Sequence, residues 1–444
     1  MSRRAGAVTP IPSRRGAFGV RRDDDGTAQA APYPADTPNP AENGIRMGQP
    51  ETTNPEAPAP GDPAARLRAP DLAGLPEVTA ELATHAPAHD RDATLPLEGL
   101  AAAHAAGLLT ATVSARYGGP GHGLAGTARI LHALGSGDPA AALITAMTLF
   151  AHAAQARTPS WPAAVYQELL AESAVRPTLV NALRVEPDLG SPIRGGLPAT
   201  TARRKNDEWQ LTGHKIFSTG APALRWMAVW ARTDETPTRV GSFLVRADSP
   251  GIEIRPTWNH LGLRASRSDD VLFDGVRIPA GQVAGLAEPG ADGGRDVIGG
   301  AWNSLGLTAL YLGVARTAQH WLTGFLHERV PSALGAPLAS LPRFQTAVGE
   351  IEVRLAAAER LVNTLAAAVD DGDESAAVEA GGAKVLGTRA AIASVEEAVA
   401  LIGNNGLTQH NPLQRHLRDV LCSRVHTPQD DSVLLAAGRS ALHV

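Results

Sequence analysis

The sequence predicts an α+β chain with an N-terminal helical domain, a central β-barrel and a C-terminal four-helix bundle. Two observations carry that expectation. Between Glu208 and Pro279, short β-branched or aromatic runs (Met227 to Trp230, Ser242 to Val245, Ile252 to Ile254) are separated by Gly, Pro, Asp and Thr, the pattern of a compact antiparallel sheet domain. Long Ala/Leu-rich stretches, poor in aromatics, flank that segment on both sides and favour helix. The expected divisions are a Pro/Ala-rich tail over 1–75, a helical domain over 76–180, the barrel over 181–284 and the bundle over 285–444.

The first 70 residues hold 12 of the 34 prolines and have no leucine before Leu67. They lack the apolar area that would offset ordering entropy, so a disordered tail is expected. Six arginines fall in the first 22 residues, in the pairs Arg3-Arg4, Arg14-Arg15 and Arg21-Arg22. Asp23-Asp24-Asp25 follows them instead of an apolar stretch, which argues against a twin-arginine export signal.

From Leu95 to Val175 the periodicity is helical, broken by Tyr117-Gly118-Gly119-Pro120-Gly121 and resumed from Ile130 to Ala156. Beyond the sheet, Trp302 to Leu322, Leu341 to Asp370, Ser375 to Ile402 and Leu413 to Ala441 form four helical stretches suited to a bundle. A net charge of −5 argues against a nucleic-acid surface, and no apolar run is expected to reach the length of a membrane span. Cys422 is the single cysteine and no Cys/His cluster has zinc spacing, so neither an intrachain disulfide nor a metal site is expected, and a reducing cytoplasm is the default.

Particular phrases narrow the reading. Trp209-Gln210-Leu211-Thr212-Gly213-His214-Lys215-Ile216-Phe217-Ser218-Thr219 opens the sheet segment, and Leu261-Gly262-Leu263-Arg264-Ala265-Ser266 and Val271-Leu272-Phe273-Asp274-Gly275-Val276 close it. With the flanking helices, these phrases closely resemble the acyl-CoA dehydrogenase superfamily of flavoenzymes from about Leu95 to Leu442. The resemblance implies a bound FAD or FMN, a small-molecule substrate and a homotetramer or homodimer.

It also implies site residues. Ser191, in Val185-Glu186-Pro187-Asp188-Leu189-Gly190-Ser191-Pro192, matches a flavin-binding hydroxyl, while the usual threonine of that loop is Val185. Phe217 matches an aromatic that packs on the flavin ring, or is an ordinary inward-facing strand residue; Thr219 matches a hydroxyl near the flavin N5. Tyr117 and His152 are candidates for lining the site, with core packing as the alternative for each. Arg329 matches a cation that contacts the cofactor's adenosine phosphates across a subunit boundary, or is a helix-terminal surface charge. Arg264, Ser266 and Phe273 are expected to be structural.

The chain also departs from the dehydrogenases. They abstract a weakly acidic proton with a glutamate found in one of two positions. Here those positions hold Thr427, fixed by Pro412 to Asp419, and Asn303, fixed by Leu312-Gly313. The pyrophosphate motif is altered to Gly403-Asn404-Asn405-Gly406. Ser423-Arg424-Val425-His426-Thr427-Pro428 is similar to the branch of two-component monooxygenases, which take reduced flavin from a separate reductase and use O2. There His426 would be a proton donor, with a capping role as its alternative. A monooxygenase is therefore the leading expectation, with an acyl-CoA dehydrogenase that draws its base from elsewhere, Glu186 being a candidate, and a silent flavin-binding scaffold behind it.

Overall fold

The computed structural model describes residues 67–189, 196–290 and 296–443, so residues 1–66 of the expected tail and Ser191 lie outside the described residues. Five helices come first: α1 (Leu75–Asp92), α2 (Leu97–Ala105), α3 (Leu124–Gly137), α4 (Pro139–Arg157) and α5 (Ala163–Val175). The helix α1 begins ahead of the Leu95 start read from periodicity. On α3, Leu124, Thr127, Ala128, Ile130, Leu131, Leu134 and Gly135 are buried at helical spacing. Asp138 starts α4, its carboxylate accepting from Ala140 N at 2.8 Å and Ala141 N at 3.3 Å, with Pro139 in the first turn where a missing N–H costs nothing.

Eight strands follow: β1 (Leu179–Leu183), β2 (Thr201–Lys205), β3 (Glu208–Lys215), β4 (Leu224–Thr233), β5 (Val240–Arg246), β6 (Ile252–Arg255), β7 (Asp270–Pro279) and β8 (Val283–Ala287). They form one sheet in the order β6-β7-β3-β2-β4-β5-β8, with β1 paired to β4. The expected all-antiparallel pattern is wrong at two pairings, since β1 and β2 both run parallel to β4. The cause is the route of the chain. Strand β1 enters from the helical domain and not through a hairpin, so no tight turn imposes an antiparallel partner. Instead α4 seats it, with Val180 N donating to Thr148 Oγ1 at 3.0 Å. Trp209 and Phe243, both fully buried, meet edge to face at 5.5 Å inside the sheet.

The C-terminal region holds α6 (Val297–Glu328), α7 (Pro342–Asp370), α8 (Glu374–Leu401), the short α9 (Asn404–Leu407), α10 (Leu413–Leu421) and α11 (Asp430–Leu442). Three long helices agree with the sequence reading, whereas the expected fourth, Leu413 to Ala441, is broken. A tight turn over Cys422–Val425 leads into extended backbone at His426. Pro428 lacks an amide hydrogen and disfavours helical backbone just before it, so the helix restarts only at Asp430. Among the described residues one helix, α6, is long and apolar enough to cross a membrane by length and composition, contrary to the expectation of no such run. Of its apolar window, 72% is buried inside the protein, so its hydrophobic faces are already used in packing.

Glycines set how closely the helices approach. A Cβ at Gly135 would stand 2.3 Å from the Leu310 carbonyl oxygen, and one at Gly313 would stand 2.1 Å from that of His132. Helices α3 and α6 thus meet backbone to backbone. Gly313→Val should lower unfolding free energy by about 2 to 3 kcal/mol, because the clash is with main chain that cannot swing away. Gly349→Ala on α7, where nothing lies within 4 Å, is the control and should be neutral or stabilising by about 0.5 to 1 kcal/mol. Urea titration of both variants checks the contrast.

Candidate functional site

The end of β3 is held by a buried ion pair. Lys215 Nζ lies 2.6 Å from Glu186 Oε1 and donates to the Trp230 carbonyl at 2.6 Å, and the two side chains are 0% and 2% exposed. Glu186 also accepts from Ala199 N at 2.6 Å and Thr200 N at 3.0 Å. Burial pushes the Glu186 carboxyl up, but Lys215 and these donors bring it below the usual carboxylate range. Its lone pairs are engaged in holding the fold.

Two residues further on, the backbone turns left-handed at Phe217, φ 55°. That conformation is uncommon for a bulky residue, and it turns the ring out of the strand. Phe217 is 53% exposed, so the alternative of an inward-facing strand residue does not hold. Trp258 and His260 meet its ring edge to face at 6.3 and 6.1 Å and stack on each other at 3.5 Å. These rings make an open aromatic platform.

Behind it stands a line of hydroxyls. Ser268 Oγ donates to Thr219 Oγ1 at 3.0 Å, Ser266 and Ser268 hydroxyls lie 2.9 Å apart, and Asn181 Nδ2 donates to the Thr219 carbonyl at 3.0 Å. Ser218 Oγ is buried and has no partner among the described residues. Sequence reasoning placed Thr219 but gave Ser266 only a structural role and missed Ser268, Asn181, Trp258 and His260. The alternating serines of Arg264-Ala265-Ser266-Arg267-Ser268 were the available signal.

A second group gathers where α6 meets the break between α10 and α11. Asn303 Nδ2 donates to the Thr427 carbonyl, so the two positions that the resemblance aligns with the dehydrogenase base touch each other. His426 Nε2 and the Tyr311 hydroxyl are 2.6 Å apart. Burial, aided by the nearby Lys384 charge, pushes the His426 imidazolium down to about 4, and burial raises the Tyr311 phenol well above its ordinary value. Near neutral pH, therefore, a neutral imidazole faces a protonated phenol. Lys384 Nζ, itself buried, is 3.9 Å from Asp430 Oδ1.

Tyr117 and His152 come together around Tyr166. His152 Nδ1 is 2.9 Å from the Tyr166 hydroxyl, and Gln155 Nε2 donates to the Tyr117 hydroxyl at 3.3 Å. The Tyr117 and Tyr166 rings meet edge to face at 4.8 Å. His152 is buried, 1% exposed, and Tyr117 is half-buried. Arg329 is exposed at the C-terminal end of α6.

Comparison with known proteins agrees with this architecture. Three family models match in chain order: the acyl-CoA dehydrogenase N-terminal domain over 77–157, the middle domain over 184–276 and the C-terminal domain over 305–430. The Bacillus subtilis (strain 168) protein YdbM, provisionally named an acyl-CoA dehydrogenase, is 30% identical over 78% of this chain and 89% of its own length. Among solved structures, KijD3 in complex with FMN and dTDP-3-amino-2,3,6-trideoxy-4-keto-3-methyl-D-glucose is 27% identical, with TM-score 0.72 over 85% of this chain and 96% of that one. FMN-bound TdsC from Paenibacillus sp. A11-2 shares the fold at 20% identity, with TM-score 0.76 over 84% of this chain and 97% of that one.

His152 gives a pH-dependent prediction. Burial depresses its pKa from the ordinary 6.5 to about 4, so below pH 6.5 the unfolded chain takes up a proton that the folded chain refuses. The stability contribution is complete above pH 6.5 and is lost as pH falls toward 4. His152→Gln removes that proton uptake. The stability lost between pH 7.5 and pH 5, measured by urea unfolding, should be smaller in the variant by about 2 kcal/mol.

Proposed function

The chain belongs to the acyl-CoA dehydrogenase family, and from that premise we propose that it is a flavin-dependent monooxygenase acting on a small organic substrate. The observation that carries this reading is the Asn303–Thr427 contact. An amide and a hydroxyl stand where a dehydrogenase needs a carboxylate, and neither accepts a carbon-bound proton at neutral pH. Glu186, the other acid considered as a base, is already committed to Lys215 and two backbone amides. Oxygen transfer needs a shielded cavity with hydrogen-bond donors and no strong base, which suits what remains.

The residues present fit a flavin. An exposed aromatic platform at Phe217, Trp258 and His260 offers faces for a planar ring, and the unpartnered Ser218 hydroxyl and the Thr219 hydroxyl lie beside it. Bound there, FMN or FAD in its reduced form supplies the electrons that divide O2 between substrate and water. A separate reductase supplies the reduced flavin in this reading.

The protein's own contribution is to orient groups, exclude water and hold a proton. Thr219 keeps its hydroxyl fixed through Ser268 and Ser266. With Tyr311 donating to Nε2, the His426 ring N–H sits on Nδ1, where it can donate a hydrogen bond to an oxygen atom. The deep burial of Tyr311 keeps that tautomer in place. The similarity to KijD3, solved with FMN and an amino sugar nucleotide, supports a flavin nucleotide and a small organic substrate. A second reading, acyl-CoA dehydrogenation, is favoured by the similarity to YdbM.

Two experiments test the reading. Flavin-loaded protein mixed anaerobically with straight-chain or branched acyl-CoAs should show no bleaching of the oxidised flavin, since loss of the carboxylate base costs a factor of about 10² to 10⁴. Rapid bleaching would establish the dehydrogenase reading in its place. Flavin placement is checked by Phe217→Ala, which should weaken flavin binding by about 1 to 3 kcal/mol in an equilibrium titration. Unchanged affinity would move the ring away from the platform.

A further inference from the structure

The stretch of chain that carries His426 is held from two sides. From α6, Asn303 donates to the Thr427 carbonyl and Tyr311 meets the His426 imidazole. The other side is α8. A Cβ at Gly381 would stand 3.5 Å from Val433 and 4.0 Å from the Pro428 ring, so this turn of α8 lies against the start of α11. Lys384 follows three residues later, on the same face of the helix. Its side chain is 1% exposed, and its ammonium is 3.9 Å from Oδ1 of Asp430, the first residue of α11.

That ion pair is unusual in what it leaves unmade. A buried ammonium ordinarily donates to two or three acceptors. Lys384 Nζ has none among the described residues, and Asp430 Oδ1 opposite it has no donor. The second Asp430 oxygen, Oδ2, accepts from the exposed Arg389 at 2.9 Å. Burial lowers the pKa of Lys384 and Asp430 opposes that, so the carboxylate keeps the ammonium charged without forming a hydrogen bond to it. A methionine would fill the same space with no charge to desolvate, and such replacements are often neutral or stabilising. Packing alone therefore gives no reason for a cation here.

The imidazole gives one. The charge of Lys384 joins burial in keeping His426 from taking a second proton. The remaining groups around the ring act otherwise. Tyr311 on α6 is a neutral phenol, and Asp419 and Cys422 at the end of α10 favour its protonated form. Arg424, in the tight turn, is exposed and lies 3.8 Å from Glu396 of α8. Arg389 is taken by Asp430, and Asp431 is exposed. A second proton on His426 would put an N–H on Nε2, opposite the Tyr311 hydroxyl, and reverse the bond that leaves the ring N–H on Nδ1.

We propose that Lys384 is a positioning residue for His426, a fixed cation tethered by Asp430 that keeps the imidazole neutral and its N–H on Nδ1. The use made of that N–H rests on the oxygenase reading, whereas the electrostatic role does not. The two halves of the pair then act in opposite senses on the ring. Loss of the ammonium frees His426 to protonate, and loss of the carboxylate leaves the cation less compensated.

The test follows the histidine side-chain resonances of the full-length, flavin-loaded protein by NMR from pH 7.5 to pH 5, with the His426→Gln spectrum to assign the ring. In wild type His426 should stay largely neutral, with its proton on Nδ1. Lys384→Met should raise the His426 protonation constant by about threefold or more. Lys384→Arg should restore the wild-type titration, and Asp430→Asn should leave the ring as neutral as in wild type. A tether with a purely mechanical role predicts instead that Lys384→Met and Asp430→Asn loosen the chain alike and alter His426 alike, and that result overturns the proposal. An unchanged titration in Lys384→Met overturns it as well. Lys384→Met/Asp430→Asn, which leaves neither buried charge unpaired, guards against a single variant that does not fold. It should unfold in urea near the wild-type midpoint and still show the raised protonation constant, and a wild-type titration in it counts against the proposal. The acyl-CoA experiment decides the reaction and this titration decides Lys384, so either can fail without the other.

Discussion

The ion pair between Lys215 and Glu186 is the constraint from which the site is built. It joins the end of β3, the segment after β1, the backbone at Ala199 and Thr200, and the Trp230 carbonyl on β4. Placing two ions out of water costs several kcal/mol each, and only dense hydrogen bonding offsets it. Here Glu186 receives three donors and Lys215 donates twice. The arrangement fixes where β3 stops, and so fixes the turn that projects Phe217 and the height at which Thr219 sits.

The bundle reaches the same region by a separate anchor. Leu263 N donates to Asp419 Oδ1 at 2.7 Å, and a Cβ at Gly262 would stand 2.2 Å from the Arg418 carbonyl oxygen. Burial raises the Asp419 carboxyl to about 7, the Leu263 amide opposing it. The sheet loop bearing Trp258 and His260 is thereby locked to α10, just before the chain leaves its helix toward His426. Platform and imidazole are thus set by neighbouring contacts although more than 150 residues separate them in sequence.

The legible parts of this architecture are those written in local pattern. Helical periodicity marked α3, α6, α7 and α8, and the Gly- and Pro-punctuated runs marked the sheet, because burial on one face leaves a repeat in the sequence. Phe217, Thr219, Asn303, Thr427 and His426 could be placed by phrase. What could not be read was set by distance. The parallel seating of β1 depends on α4, the serine line behind Thr219 depends on a loop about 50 residues away, and the Tyr311–His426 contact spans 115 residues. The break in the last helix was signalled by Pro428, but the helical pattern on both sides of it concealed the signal.

The close approach of α3 and α6 at Gly135 and Gly313 limits how this protein can adapt to different molecules. Helices in main-chain contact cannot slide or spread by fractions of an ångström without collision, so α6 holds Asn303 and Tyr311 on a rigid support. Local give is left to the non-helical stretch between α10 and α11, where Asn303 and Tyr311 hold the chain by single hydrogen bonds. Selection for new substrates would accumulate changes in that short stretch and leave the helical interface untouched.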